Sequence, residues 1–238
     1  MNIDIIIQDE GIIAPFNIQS SRETRFTILP QTRDAVDEKE AADGDIDFGT
    51  WLGMGEFNLH GIIEFDSTEE RNAAGNLLRQ QLNDCRKPKT IAYECTPNRY
   101  NVIQLTGRPE ITRFPCHLEI RAQFKAYPFW FGTEEKSLTG GGTIENKGTF
   151  ETPLTIEISG PATNPSVVIG SSTLAYNGNI PAGQKLVIVT QEGNAGTVKL
   201  GNANALGDYN GVFPMLPPGT LNVTAGENVT IKWRDCWL

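Results

Sequence analysis

Histidine and cysteine are scarce in this chain of 238 residues, and their spacing argues against a metal site. They are His60, His117, Cys85, Cys95, Cys116 and Cys236. No two cysteines form a C-x-x-C pair, whereas a zinc site usually shows closely spaced ligands in the sequence. We therefore expect reduced thiols and no metal ion or other cofactor.

Basic residues and long apolar runs are also in short supply. Lys and Arg number 20 against 29 Asp and Glu, so the net charge is −9. Specific binding of nucleic acid is not expected, because it depends on clustered cations that neutralise phosphates. No run approaches the ~20 apolar residues that span a bilayer. The N-terminus, with acids at Asp4 and Asp9, lacks the features of a signal peptide, so we expect synthesis in a cytosol and no membrane insertion.

Alternation of apolar and polar residues is abundant, and with 24 glycines and 14 prolines it indicates a mainly β protein. In the first half, 116–132 is the longest alternating run, with Leu118, Ile120 and Phe124 on its apolar face. The other predicted strands of this half are 2–8, 25–30, 56–65 and 90–96.

One helix is predicted, over residues 67–85. Ser67 and Glu70 form a capping box at its start, and Pro88 prevents its continuation. Its apolar stripe is predicted to be Ala74, Leu77, Leu78, Leu82 and Cys85.

The composition changes at residues 136–153, which contain a triple glycine and few apolar side chains. We place a domain boundary there and predict an N-terminal β domain with one helix over 1–135 and a glycine-rich linker over 136–149. Residues 150–238 show short alternating runs separated by turn signals, which predict an antiparallel β-sandwich.

The acidic stretch 31–50 is the first candidate site. Asp43, Asp45 and Asp47 have the D-x-D-x-D spacing of a calcium loop, but Phe48 and Met54 occupy positions where that loop requires Gly and Glu. The stretch is therefore predicted to be a solvated loop or a long hairpin tip.

Catalytic motifs are not recognised. Each histidine falls on the polar face of a predicted strand, with no nucleophile or orienting acid apparent beside it. The TGGGT stretch, 139–143, neither follows a strong apolar strand nor opens a helix, as a phosphate cradle requires. The prediction is a protein without enzymatic activity; a glycosidase stays open, because carboxylates are plentiful although nothing selects a pair.

An aromatic cluster surrounds Pro128. Its members are Tyr127, Phe129, Trp130 and Phe131. Such a cluster can stack on a sugar or anchor a partner, but packing where the two domains meet is the favoured interpretation.

Three passages resemble distal tail proteins of siphophages, the bacteriophages with long, non-contractile tails. AYPFWFG (126–132) resembles the aromatic exit from that family's N-terminal domain. NKGTFETPLTIEISGPATNPSV (146–167) resembles the start of its C-terminal domain, and GVFPMLPPGTLNVTAGENVTIKWRDCWL (211–238) resembles its ending.

The resemblance implies a structural protein of a phage or prophage tail tip. It implies an N-terminal split barrel with a helix, through which copies form a hexameric ring, and an outer, galectin-like sandwich. The ring, a baseplate hub, would join the tail tube to tail-tip proteins, and the sandwich could carry receptor-binding proteins. The chain would be made in the bacterial host cytoplasm and reside in the virion. Asp43, Asp45 and Asp47 would then lie on an inter-subunit or channel loop.

The alternative function is a carbohydrate-binding β-sandwich module. An exposed tryptophan beside Asn, Asp or Arg on one sheet face of residues 150–238 would favour it.

Overall fold

The computed structural model describes residues 3–21, 24–26, 32–36, 47–52, 54–192 and 195–238. The chain divides into two compact units, residues 1–130 and 131–238. The described residues are mainly strand, with one α-helix, as the sequence predicted.

The first unit contains the helix and most of the long strands. Its elements are β1 (Ile5–Ile7), β2 (Ile12–Ala14), β3 (Ile18–Ser20), β4 (Arg25–Phe26), β5 (Thr32–Val36), β6 (Asp47–Leu52), β7 (Gly55–Glu64), α1 (Thr68–Asp84), β8 (Lys89–Tyr93), β9 (Arg99–Arg113) and β10 (His117–Ala126). A further strand, β11 (Trp130–Gly132), includes residues on both sides of the division.

Seven of these strands close into a barrel. The order is β10-β7-β3-β2-β1-β8-β9, and β9 pairs back with β10. The pairing of β1 with β8 is parallel, while the other pairings around the barrel are antiparallel. The apolar faces of β7 and β10 meet in the core, where the Phe57 and Phe124 ring centroids lie 5.5 Å apart. The predicted barrel with one helix is thus confirmed, and its strands form a complete circuit.

The helix begins at the predicted cap. Ser67 has an extended backbone, and its hydroxyl accepts a hydrogen bond from the Glu70 amide at 3.1 Å. Leu78, Leu82 and Cys85 are buried in the barrel core as predicted. Leu77 was predicted wrongly, because its side chain is 56% exposed. At about 100° per residue it points away from the stripe formed by positions 75, 78, 82 and 85.

The longest strand, β9, was missed by the sequence analysis. Tyr100 and Asn101 are both buried, so simple alternation fails at its start. Farther along, positions 106–110 of β9 face positions 121–123 of β10, which makes the strand irregular. Gly107 has a φ of +65° there, and Pro109 follows; in the sequence this pair looks like a turn.

The second unit is a β-sandwich, as predicted. Its elements are β12 (Lys136–Thr139), β13 (Gly142–Asn146), β14 (Thr155–Ser159), β15 (Ala162–Thr163), β16 (Ser166–Ile169), β17 (Ser172–Tyr176), β18 (Asn179–Ile180), β19 (Lys185–Glu192), β20 (Ala195–Leu200), β21 (Ala203–Asn204), a 3₁₀ turn (Leu206–Asp208), β22 (Tyr209–Gly211), β23 (Gly219–Thr224), β24 (Val229–Trp233) and β25 (Cys236–Trp237). The sheets run β12-β24-β14-β19-β20-β21 and β13-β23-β16-β17-β22. Their inner residues, such as Ile144, Ile156 and Val167, share one core.

The structure contains two strands at 136–149, where the sequence predicted a linker. Residues 136–139 and 142–146 are strands of the two sheets, β12 and β13, and Gly140 and Gly141 connect them. Leu138 and Ile144 supply the apolar positions, and threonines and charged residues occupy most of the rest. Because so few of its side chains are apolar, the sequence of this stretch shows no clear alternation, and it resembles a linker.

Candidate functional site

An arm of two strands extends the chain between β4 and β7. β5 and β6 pair antiparallel, with Thr32 opposite Leu52 and Val36 opposite Asp47, and neither pairs with another described strand. This matches the hairpin interpretation of the acidic stretch as far as the backbone is described. Asp47 begins β6, whereas Asp43 and Asp45 lie outside the described residues. Their role as an inter-subunit or channel loop stays a prediction.

The segment that leads to the arm is fastened to His60 on β7. The His60 carbonyl oxygen accepts from the Ser21 amide at 2.8 Å and also from the Thr24 hydroxyl. In return, the His60 amide donates to the Thr24 hydroxyl oxygen at 3.0 Å. These bonds fix the chain just before β4 to β7.

The His60 ring connects the segment before β4 to β10. Its Nδ1 lies 2.7 Å from the Ser21 hydroxyl, and its Nε2 lies 3.0 Å from Oε1 of Glu119. A hydrogen bond from His60, together with one from Arg121, lowers the pKa of Glu119, so this group is a carboxylate that only accepts. With its proton on Nε2, the imidazole donates a hydrogen bond to this carboxylate, and its Nδ1 accepts a hydrogen bond from the Ser21 hydroxyl.

This geometry corrects the expectation that nothing beside the histidines supplies a nucleophile or an acid. Ser21, His60 and Glu119 stand in the order of a hydrolytic triad. However, Oε1 of Glu119 also accepts from Arg121, at 2.9 Å from its guanidinium. A cation on the same oxygen reduces the support that the carboxylate gives to a protonated imidazole. The arrangement is therefore better suited to bracing β3, β7 and β10 than to proton transfer.

The aromatic cluster is attached to the barrel through its backbone. The side-chain amide of buried Asn101 donates to the carbonyl oxygens of Tyr127 and Phe129, each at 3.0 Å. The Trp130 ring stacks on Tyr93 with centroids 5.8 Å apart, while the Tyr127 side chain is 44% exposed. Phe131 is half-buried in the second unit. The interdomain role of the cluster stays a prediction.

The C-terminal strand of the sandwich is held by Asn146, which the sequence analysis did not single out. This side chain is 1% exposed. Its Nδ2 donates to the carbonyl oxygens of Phe150 and Leu216 at 2.7 and 3.2 Å, and its Oδ1 accepts from the amides of Gly148 and Cys236 at 2.9 and 3.3 Å. One buried side chain thus joins the end of β13 to the first residue of β25.

Asp235 and Gly148 complete what we call the C-terminal clamp, together with Asn146. Asp235 forms an ion pair with Lys136 at 2.6 Å and accepts from the Lys147 amide at 3.0 Å. At Gly148 the chain passes so close to Cys236 that a Cβ would lie 1.8 Å from the Cys236 carbonyl oxygen. This close approach requires glycine at position 148, which lies in the sequence predicted to be a linker.

Among the described residues, no group of three or more His, Cys, Asp or Glu is placed to hold a metal ion. Within the same ranges, no helix is long and apolar enough to cross a membrane.

Residues 147–237 match the family model described as siphovirus-type tail component, C-terminal domain. The fold is similar to the crystal structure of the SPP1 Dit protein, a paradigm of the hub adsorption apparatus in phages that infect Gram-positive bacteria. That match has 16% identity, covers 91% of this chain and 93% of that chain, and has a TM-score of 0.67. The structure of the phage P2 baseplate in its activated conformation with Ca matches with a TM-score of 0.43 and 9% identity, over 89% of each chain. No curated protein matches the sequence.

Proposed function

Since residues 147–237 match the family model of the siphovirus-type tail component, we propose that this chain is the distal tail protein of a siphophage or prophage, the hub of its tail tip. The resemblance to distal tail proteins is confirmed by this match together with the shared fold of both units. The family match is the observation that carries the proposal, because it concerns the sequence itself.

In this proposal the barrel units assemble into a ring, expected to be a hexamer, that joins the tail tube to tail-tip proteins. A ring requires a heterologous interface, in which one surface of each copy binds a different surface of the next. The arm formed by β5 and β6 suits such an interface, because its strands pair with no other described strand. The sandwich, expected to be galectin-like, would be free to carry receptor-binding proteins.

The location can be tested on virions produced from the genome that encodes this chain. Gold-labelled antibodies against the sandwich are expected to decorate the distal end of the tail. Label along the whole tube, or on the head, would overturn the proposal. An antibody against the major tube protein serves as the control, since it should mark the tube.

We propose that the chain has no enzymatic activity. Ser21 is the residue to test, because it stands in the position of a nucleophile beside His60 and Glu119. A fluorophosphonate probe reacts with an activated serine. We expect no labelling of Ser21 in the native chain, because Arg121 shares the Glu119 carboxylate. Labelling that disappears in His60→Ala would establish a hydrolase instead.

The carbohydrate-binding alternative receives no support from the described residues of the sandwich. Its two tryptophans are Trp233, which is buried, and Trp237, which is half-buried. The Trp233 indole donates to the Glu145 carbonyl oxygen at 2.9 Å, so this side chain is part of the packed structure. Neither is the exposed platform that sugar stacking requires.

A further inference from the structure

An arginine-lined cavity of about 270 Å³ lies between α1 and the irregular part of β9. Its lining includes Arg79 and Asn83 from the helix, Arg86 from the turn after it, and Arg108, Leu105 and Ile111 from β9. We call it the arginine cavity. It lies entirely within the barrel unit.

The local sequence explains why three guanidinium groups converge. Asn83 lies one helical turn after Arg79 on α1, and Arg86 follows the C-cap Cys85, where its guanidinium donates to the Asn83 side-chain oxygen. Arg108 follows Gly107, whose φ of +65° produces the irregularity in β9. The two elements therefore present their cations to the same space.

These cations have weak partners. Arg79 reaches the Asn76 side-chain oxygen at 3.4 Å, and Arg86 reaches Asn83 at 3.2 Å and the Gly107 carbonyl oxygen at 3.4 Å. Within the ranges that the structure describes, none of the three arginines forms an ion pair with a carboxylate. Three uncompensated guanidinium forks in a chain of net charge −9 favour an anionic ligand, and their planar geometry matches carboxylates.

The same chain carries a segment of the required charge. Residues 34–47 contain seven acids and one lysine. The acids are Asp34, Asp37, Glu38, Glu40, Asp43, Asp45 and Asp47. The segment includes most of β5 and the start of β6, so its ends are held on the arm.

We propose that the arginine cavity binds carboxylates of the 34–47 segment of a second copy of this chain. This inference rests on the proposed function and supplies the contact by which one copy recognises the next. Charge complementarity selects the occupant: the cavity is cationic, the segment is acidic, and the two are different surfaces, as a ring requires. Nucleic acid is a poorer occupant, because it needs a longer track of cations and is repelled by the net charge of the chain.

The contact is tested first without any ring. The probe is a labelled synthetic peptide of residues 34–47, and the receptor is the full chain carrying D43N and D45N, which weakens competition from its own arm. Fluorescence anisotropy at about 50 mM salt should show binding that weakens at about 500 mM, since salt screens exposed charges. In the R79E/R86E receptor we expect an affinity at least tenfold lower.

Two controls make this test specific. Lys125→Glu removes an exposed cation of the barrel outside the cavity and should leave the affinity unchanged. A peptide with all acids converted to amides should not bind. Equal affinity for the R79E/R86E receptor, or equal binding of the amide peptide, overturns the proposal, as does displacement of the peptide by a DNA oligonucleotide at similar concentration.

A charge exchange then tests the contact between copies. R79E/R86E chains and D43R/D45R chains should each assemble less than the native chain, because arm and cavity then carry like charges. An equimolar mixture should recover the native mass by light scattering, since each arm meets an opposite cavity on the other variant. Recovery only when both changes are in one chain indicates a contact within a chain and overturns the proposal. If the native chain itself stays monomeric, the ring is in question while the peptide result still decides the cavity.

Discussion

In the barrel, residues 1–130, the strands close by backbone pairing, since β10 pairs with both β7 and β9. In the sandwich, residues 131–238, specific side chains hold the end of the chain in place. There the C-terminal clamp of Asn146, Gly148 and Asp235 secures β25. One unit thus depends on a repeating pattern, and the other depends on single positions.

The family match lies in the sandwich, because the model that matches describes a C-terminal domain. The match covers residues 147–237, which begin inside the clamp and end in β25. A clamp position tolerates few residue types, because its contacts are short and buried. A barrel strand such as β10 relies mainly on alternation of buried and exposed side chains, a pattern that many sequences satisfy. We therefore expect substitutions in the clamp to have larger and more local effects than most substitutions in the barrel.

The largest effect is expected for Gly148→Ala. A Cβ at this position would lie 1.8 Å from the Cys236 carbonyl oxygen, and backbone cannot move aside cheaply. We predict a loss of about 3 kcal/mol or more in the free energy of unfolding of the sandwich, measured by chemical denaturation followed by tryptophan fluorescence. Gly207→Ala is the matched control, because no described atom lies within 4 Å of its added Cβ. Equal stability of the two variants would contradict the clamp.

A pair of leucines in α1 gives the next largest effect. Leu82 is 0% exposed and Leu77 is 56% exposed, so the same substitution is expected to change the free energy of unfolding by different amounts at the two positions. Leu82→Ala should lower the free energy of unfolding by about 2–5 kcal/mol through lost burial and a cavity. Leu77→Ala should change it by less than about 0.5 kcal/mol. A reversed ranking in thermal or chemical denaturation would refute the assigned helix face.

Two buried thiols allow the units to be compared in one sample. Burial raises the pKa of Cys85 in the barrel to about 11 and that of Cys236 in the sandwich to about 12. Because the thiolate is the reactive form, exposed Cys95 and Cys116 should be alkylated at least about tenfold faster near neutral pH. Peptide mass spectrometry measures the rates.

The same labelling sharpens the comparison when it is applied to Gly148→Ala. With Cys95 and Cys116 changed to serine, this variant should expose Cys236 and leave Cys85 protected. Acceleration of both thiols to the same degree would show that the clamp supports the whole chain and not the sandwich in particular.

The smallest effect concerns pH and Glu157 on β14. A hydrogen bond from Lys232, with a further one from Lys185, lowers the pKa of Glu157 below its usual value. A carboxyl with a lowered folded-state pKa adds stability above its unfolded pKa of about 4.3, and this stability is lost as pH falls through the folded pKa. Glu157→Gln should therefore cost less than about 1 kcal/mol at pH 7 and less still on acidification, by denaturation at each pH. A difference that grows on acidification would contradict the ion pair.

Local rules in the sequence predicted the helix and a sandwich of short strands, but not the sandwich strands β12 and β13. Ser67 and Glu70 match the capping-box pattern of a helix start. Runs such as 185–192 are typical of strands and have turn-forming residues at their ends. These features depend on residues that are close together in the sequence, so they can be predicted from the sequence alone.

Features that depend on distant residues escaped prediction. Ser21 follows β3, whereas its partner His60 lies on β7 and Glu119 lies on β10, and Asn146 meets Cys236 only after the sandwich has formed. The arginine cavity needs Arg108, which is placed by the irregularity at Gly107. The acidic arm was predicted from composition, yet nothing in its composition indicates which surface binds it.

The most direct test of the central claim is a cryo-electron microscopy reconstruction of the tail tip of virions that contain this chain. We expect a closed ring of copies at the distal end of the tube, with the barrel units in the ring and each 34–47 segment against the arginine cavity of the next copy. A tail tip in which this chain is absent, or is present as single copies that do not touch one another, would contradict it.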